Sequence, residues 1–491
     1  MKRLLSILIF AALLMNLCAC SRSEEPAPAD PPAQSEPEAP VDAPPAAQPP
    51  AAETPVLEHA DRHPLTLAWP EMQNADFWIA LAEEPQKVQM TPEEVVAYNA
   101  AVKDAYDTDT EDLAAWPETL NSAKLYSLLN HYGPQPDSGY YTPEGRITSD
   151  QAFRIGENRN TAAVLMENPV RYGFVTKNTI LRTFPDATPL YDSPDSWEYD
   201  KAAETACKIW EPVLVLHTSA DGLWYLARAY DYLGWLPVSD VALCPRAQWD
   251  TLCAALQNDR LTVTAARLPL DGSFHYPELD GTVLKMGTRL PLVHDAAEAD
   301  NAISDNCWIA QMPLRREDGT LALAEVRIPL QEDVCEGQLL YTTENVLRQA
   351  FKLLGHRYGW GGTADGWDCS SICQDVFRTM GFDLPRNSNR QLKIPGYLDV
   401  DGQSSSKKAD ALSGLQPGAM LEMPGHQTMY IGRFEGGDYI IHATHGVYDT
   451  NGVFYEANSV IVSSVQARRS NGKTILECFR GFSLPVASAL N

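Results

Sequence analysis

The spacing of apolar and polar residues divides the chain into stretches of different texture. Behind Lys2 and Arg3, Leu4–Leu17 is almost wholly apolar. It is shorter than the ~20 residues a membrane-spanning helix needs and reads as the core of a secretory signal, residues 1–19. Residues 20–60 are mostly Pro, Ala and Glu with almost no large apolar side chain. Such a segment cannot bury enough surface to offset chain entropy, and an extended tether is expected. Residues 61–150 turn helical. Thr91-Pro92-Glu93-Glu94 has the form of a helix start, with Thr91 as N-cap and Glu94 closing a capping box. Val95, Tyr98 and Val102 then recur at helical spacing.

Residues 151–250 and 255–340 change to short alternating runs between turns. Strands are expected near Thr176–Arg182, Val213–His217 and Trp224–Ala229, then near Leu261–Ala266, Val283–Leu292 and Leu321–Ile328. The helical pattern returns in residues 341–485. Val346, Leu347, Ala350, Phe351 and Leu354 share a face, and Gly355 ends that helix. The glycine-rich loop His356–Gly362 follows. A second helix opens at Cys369 and turns Ile372, Cys373, Val376, Phe377 and Met380 inward. Farther on, His426–Ile431 and Tyr439–Ala443 read as antiparallel strands around a Glu-Gly-Gly-Asp turn, in a register the sequence does not specify.

Charge narrows the function. The 491 residues carry 38 basic and 65 acidic side chains, a net −27. That balance lacks the basic footprint of nucleic-acid binding. Ten cysteines are too few for a disulfide scaffold of this length. Leu17-Cys18-Ala19-Cys20 resembles a bacterial lipobox, with Cys20 the lipidated residue and Cys18 a poorer candidate. An acyl anchor outside the cytoplasm follows as the expected membrane contact. An ordinary secreted protein cut after Ala19 is the alternative.

Cys369 is the informative side chain. A helix start favours anions, which lowers a thiol pKa, and its free N–H groups can hold an oxyanion. Cys373, one turn later on the apolar face, suits a structural role. Cys369 has polar neighbours in Asp368, Ser370 and Ser371. A thiol nucleophile needs a base, and His426 and His442 lie on strands that can bring them to one face. His445 falls beyond the expected strand, as a loop residue. A zinc site from His442, His445 and a cysteine lacks the paired spacing of such sites.

Tyr358-Gly359-Trp360-Gly361-Gly362, Asp368-Cys369-Ser370, Leu384-Pro385-Arg386-Asn387-Ser388-Asn389-Arg390-Gln391, Gly425-His426 and Ile441-His442-Ala443 together resemble the NlpC/p60 family of cell-wall cysteine peptidases. Ser371 stands where the family usually has Gly. Asp221-Gly222-Leu223-Trp224-Tyr225 and Tyr232-Leu233-Gly234-Trp235 resemble the end of a bacterial SH3-like domain. The resemblance implies an α+β chain: a papain-like catalytic domain behind two small SH3-like barrels and a helical N-terminal subdomain. It implies Cys369 as nucleophile, His426 as base and His442 as the orienting residue. Tyr358 would lie near the oxyanion, and Asp368, Ser370 and Ser388 would touch substrate. Tyr232, or Tyr230, would line the site from the first barrel. The implied reaction is cleavage of the γ-D-glutamyl–diamino acid bond of peptidoglycan stem peptides, by a monomer using no metal or organic cofactor. Asp368 is further expected to pair with a free substrate amine. An amidase or cross-bridge peptidase of the same fold, a non-catalytic wall-binding lipoprotein and a thioester acyltransferase are the alternatives.

Overall fold

The computed structural model describes residues 61–105, 108–271, 275–294 and 306–490. The signal segment, Cys20 and the tether lie outside the described residues. Helix α1 (Pro92–Asp104) starts as its residues dictate. Thr91 Oγ1 accepts from the Glu94 N–H at 3.3 Å, and the Glu94 carboxylate accepts from the Thr91 N–H at 2.8 Å. Its buried Val95, Tyr98 and Val102 join the core of the C-terminal third. There Tyr98 Oη donates to the Pro395 carbonyl at 2.5 Å, and its ring meets Phe382 edge-on at 5.7 Å. Leu113, Leu120, Leu125 and Leu129 instead join the core of the β-rich segments. Ile147 joins a third, smaller cluster, so residues 61–150, expected as one bracing segment, divide among three cores.

The first β-rich segment is a seven-stranded antiparallel sheet. Its strands are β1 (Arg171–Val175), β2 (Thr179–Arg182), β3 (Ala203–Cys207), β4 (Pro212–Thr218), β5 (Trp224–Arg228), β6 (Leu233–Pro237) and β7 (Val241–Cys244), in the order β7-β1-β4-β5-β6-β2-β3. The second segment does not make one continuous sheet. Arg260–Val263 pairs with Arg289–Pro291 and Val334–Glu336, beside the hairpins Arg267–Pro269/Val283–Lys285 and Cys307–Arg315/Leu321–Pro329. The strand expected over Val283–Leu292 is broken at Gly287, whose φ of +77° turns the chain.

The C-terminal third carries α2 (Thr343–Lys352) and α3 (Cys369–Arg378). Beside them lie β8 (Tyr397–Asp399), β9 (Met420–Met423), β10 (His426–Phe434), β11 (Gly437–Tyr448), β12 (Phe454–Ser464) and β13 (Gly481–Ser483), in the order β8-β13-β9-β10-β11-β12. Helix α3 buries Ile372, Cys373, Val376 and Phe377 at helical spacing, packing its apolar stripe against the sheet. Each large apolar side chain so buried contributes about 1.5–3 kcal/mol. No described helix is long and apolar enough to cross a membrane. Cys207, Cys244, Cys253, Cys335, Cys369, Cys373 and Cys478 are free thiols.

Candidate active site

Cys369 occupies the first turn of α3 because Asp368 caps it. The Asp368 carboxylate accepts from the Ser371 N–H at 2.9 Å, and Ser371 Oγ accepts from the Asp368 N–H at 2.9 Å. Cys369 is half-buried, and the backbone N–H groups of Gln427 and Ser370 donate toward its sulfur. Gln427 follows His426 at the start of β10, so the helix that carries Cys369 and the strand that carries His426 meet here. Burial, then the Asp368 carboxylate, pushes the Cys369 thiol up to about 12 despite those donors. The helix start alone therefore does not produce the depressed thiol expected from it.

The β10–β11 register pairs Met429 with Ile441. Carried one step on, it sets Thr428 opposite His442 and leaves His426 diagonal to it on the same face. His426 Nε2 lies 2.7 Å from His442 Nδ1, and His442 Nε2 lies 2.9 Å from Ser463 Oγ on β12. The chain of contacts crosses three neighbouring strands. Burial, with His442 and Arg469 nearby, holds the His426 pKa well below the ordinary imidazole value. Burial and Arg469 bring His442 down to about 3. Burial disfavours a lone thiolate and a lone imidazolium alike, so charge separates here only as a pair.

Asp368 and Ser370, expected to touch substrate, are held by partners within the protein. Arg386 Nη1 donates to Asp368 Oδ1 at 3.0 Å and to Ser370 Oγ at 2.9 Å, and Nη2 donates to Asp368 Oδ2 at 2.5 Å. Asp368 Oδ2 also accepts from the Gly361 N–H at 3.0 Å. Burial opposes the Asp368 carboxylate, but Arg386 holds its pKa below the usual range. Arg386 Nε reaches Thr205 Oγ1 on β3 at 2.7 Å, tying the site to the first β-rich segment. Ser388 sits partly exposed at the start of a short helix just beyond Arg386.

Tyr232 Oη donates to Glu204 Oε2 at 2.5 Å and accepts from Asn387 Nδ2 at 3.1 Å. Tyr230 is tied up behind the site, its hydroxyl donating to the Leu384 carbonyl at 3.1 Å and accepting from Gln374 at 2.8 Å. The aromatic that the β-rich segment sets against the site is Tyr199, in the β2–β3 connection. Its ring lies 6.2 Å from Tyr358, 5.5 Å from Trp360 and 5.7 Å from His445. Burial, then the charges of nearby Cys369 and Asp368, pushes the Tyr358 phenol up. Strand β11 runs on to Tyr448, so His445 is on the strand rather than in a loop, and it faces the same cleft. That cleft, about 190 Å³, runs from Tyr199 and Tyr358 past His426 to Arg468, Arg469 and Ser470.

Family models match this chain in two places, an SH3 domain of the SH3b1 type over residues 189–237 and the NlpC/P60 family over residues 355–472. Residues 355–472 are an NlpC/P60 domain. The family is one of cysteine peptidases, and Cys369, His426 and His442 all fall within the matched range. A gamma-DL-glutamyl hydrolase of Bacillus subtilis (strain 168) is 32% identical over 114 residues, which span 22% of this chain and 26% of that protein. The chain therefore matches about a quarter of that relative's length. The solved structure of a novel NlpC/P60 endopeptidase from Photobacterium damselae subsp. piscicida superposes with a TM-score of 0.67 at 19% identity, covering 86% of this chain and 98% of that one. The two share a fold over the SH3-containing and catalytic parts together.

Among the residues the sequence did not single out are Tyr199, Glu204, Ser463 and Arg469. Tyr199 and Arg469 stand in connections without a motif. Ser463 could have been found only with the strand register in hand.

Proposed function

We propose that this protein is a peptidoglycan hydrolase that cleaves the γ-D-glutamyl–diamino acid bond of stem peptides through a Cys369 thioester. The observation that carries this reading is the line of contacts from His426 through His442 to Ser463, at the strand whose next residue, Gln427, donates its N–H toward the Cys369 sulfur. When Ser463 Oγ accepts from His442 Nε2–H, His442 Nδ1 accepts from His426 Nε2–H. His426 Nδ1 is then the unprotonated nitrogen, the tautomer a base needs. His426 takes the thiol proton as sulfur attacks the γ-carbonyl. The Cys369 N–H, at the open end of α3, donates to the developing oxyanion, and the Tyr358 hydroxyl lies close by. His426 returns its proton to the leaving amine, and water then hydrolyses the thioester. The γ-glutamyl bond is supported by the name of the Bacillus relative and by the SH3 domain that walls one side of the cleft.

A free amine on the L-alanine before D-glutamate would find its partner in Glu204 rather than in Asp368. Glu204 is half-buried beside Arg386, and burial raises its pKa while Tyr232 and Arg386 oppose that rise. The test is mass spectrometry of the products from L-Ala-γ-D-Glu-diamino acid, its N-acetylated form and intact sacculi. Release of the dipeptide L-Ala-D-Glu supports the assignment. Release of an intact stem peptide from glycan indicates an amidase instead. Glu204→Gln should narrow the gap between free and acetylated peptide by roughly 10-fold or more, the scale of a lost charge-assisted contact.

A further inference from the structure

The cleft beyond His426 has a charge unlike that of the chain around it. Its lining holds Arg468, Arg469 and three histidines but no Asp or Glu, in a protein of net charge −27. Glu198 comes within 4.0 Å of His445. Arg468 is occupied, donating to the Gly472 carbonyl at 2.7 Å. Arg469 is not fully used. One guanidinium nitrogen donates to the Pro424 carbonyl at 3.3 Å, while Nη1 is buried without a hydrogen-bond partner among the described residues. A buried guanidinium N–H left unpaired is costly, so it marks a place where an acceptor belongs.

The arginine is also held still. Its N–H donates to the Lys473 carbonyl at 3.0 Å, and its own carbonyl accepts from the Gly472 N–H at 2.9 Å, closing a tight turn. Its charge reaches both histidines, lowering the pKa of each. The side of the cleft it occupies follows from the chemistry. His426 must protonate the leaving amine, so the departing diamino acid lies over His426, and Arg469 stands next along the same cleft. The Arg386–Asp368 network is not part of that lining.

Resting on the proposed bond, we infer that Arg469 binds a carboxylate of the departing diamino acid and so selects the substrate on its leaving-group side. Two carboxylates have that chemistry: the α-carboxylate of a C-terminal residue, and the distal carboxylate of meso-diaminopimelate, which lysine lacks. An amidated or side-chain-neutral leaving group would strand the guanidinium unpaired.

The experiment compares kcat/KM for L-Ala-γ-D-Glu-X with X as meso-diaminopimelate, L-lysine or L-lysinamide, in wild type, Arg469→Gln and Arg469→Lys. The ratio between peptides within one variant does not depend on the folded fraction, so a partly unstable variant still reports. Wild type should lose about 10-fold or more, mainly in KM, on the peptide that lacks the contacted carboxylate. A drop from diaminopimelate to lysine assigns the distal carboxylate. A drop from lysine to lysinamide assigns the α-carboxylate. Arg469→Gln should flatten that drop, and Arg469→Lys should restore part of it. Equal rates on all three peptides in wild type, or an undiminished drop in Arg469→Gln, overturns the role of Arg469 alone. Failure to cleave any of them overturns the proposed bond.

Discussion

In the proposed mechanism His442 and Ser463 set the tautomer of His426, and their variants should therefore differ in degree. Cys369→Ala should reduce turnover to background with the fold intact. His426→Ala should be nearly as damaging, since nucleophile and base act as one unit. His442→Asn should retain more activity than His442→Ala, because an amide oxygen can still accept from His426. Ser463→Ala, which removes only the acceptor behind His442, should be milder still. Steady-state kinetics on one tripeptide ranks all five proteins. Both histidines have folded pKa values below 6.5, His442 near 3. The unfolded chain therefore takes up more protons than the folded one as pH falls below about 6.5, and stability should fall with it. Thermal melts at pH 7.5 and 5 should show that loss, and His442→Asn should show less of it. The acid limb of kcat/KM should likewise lie below the ordinary imidazole value. At this scale the thiol and the two histidines were legible, because polar neighbours at a helix start and strand-borne histidines are local signals. Arg469, Glu204 and Tyr199 were not, because what matters about them is what stands opposite.

Among the elements, α3 depends on one carboxylate for two purposes. Asp368 caps the helix and balances Arg386, and both side chains are buried. Asp368→Ala strands a buried guanidinium and should cost about 3–5 kcal/mol, read as a shift in urea midpoint. Asp368→Ala combined with Arg386→Met should recover part of that loss, since no unpaired charge remains. Helix positions were well marked in the sequence, as at Thr91 and at Cys369, because caps and apolar stripes are short-range. The expected strand Val283–Leu292 failed for an equally physical reason. A single Gly at positive φ divides the run into two strands of different sheets.

Taken as a whole, the molecule assembles its active site from more than the catalytic segment. Lys208 on the first β-rich segment pairs with Asp375 on α3 at 2.5 Å, and Glu211 with Arg378 at 3.1 Å. Lys285 from the second donates to the Asp365 and Gly366 carbonyls at 3.2 Å and lies 4.2 Å from the Trp367 ring. Trp69, Trp78 and Tyr98 complete the catalytic core from the N-terminal side. A fragment beginning at residue 341 should therefore expose apolar surface and aggregate, whereas one beginning at residue 61 should remain folded. Size-exclusion chromatography of the two fragments decides this. Such long-range docking was illegible in the sequence, since each partner pattern is complete in itself.

The glycine-rich loop between Tyr358 and Asp368 sets the distance between two domains. A Cβ on Gly361 would lie 2.8 Å from the Ala203 carbonyl oxygen, and one on Gly362 would lie 2.5 Å from the Ala206 Cβ, at φ values of +58° and +85°. Any side chain there would wedge β3 away from the loop, and with it the Thr205–Arg386 link. The glycines thus act as a mating surface that belongs jointly to both partners. A catalytic segment of this kind cannot be exchanged freely between carriers, because the helix that carries Cys369 is seated by a neighbour it must inherit with it.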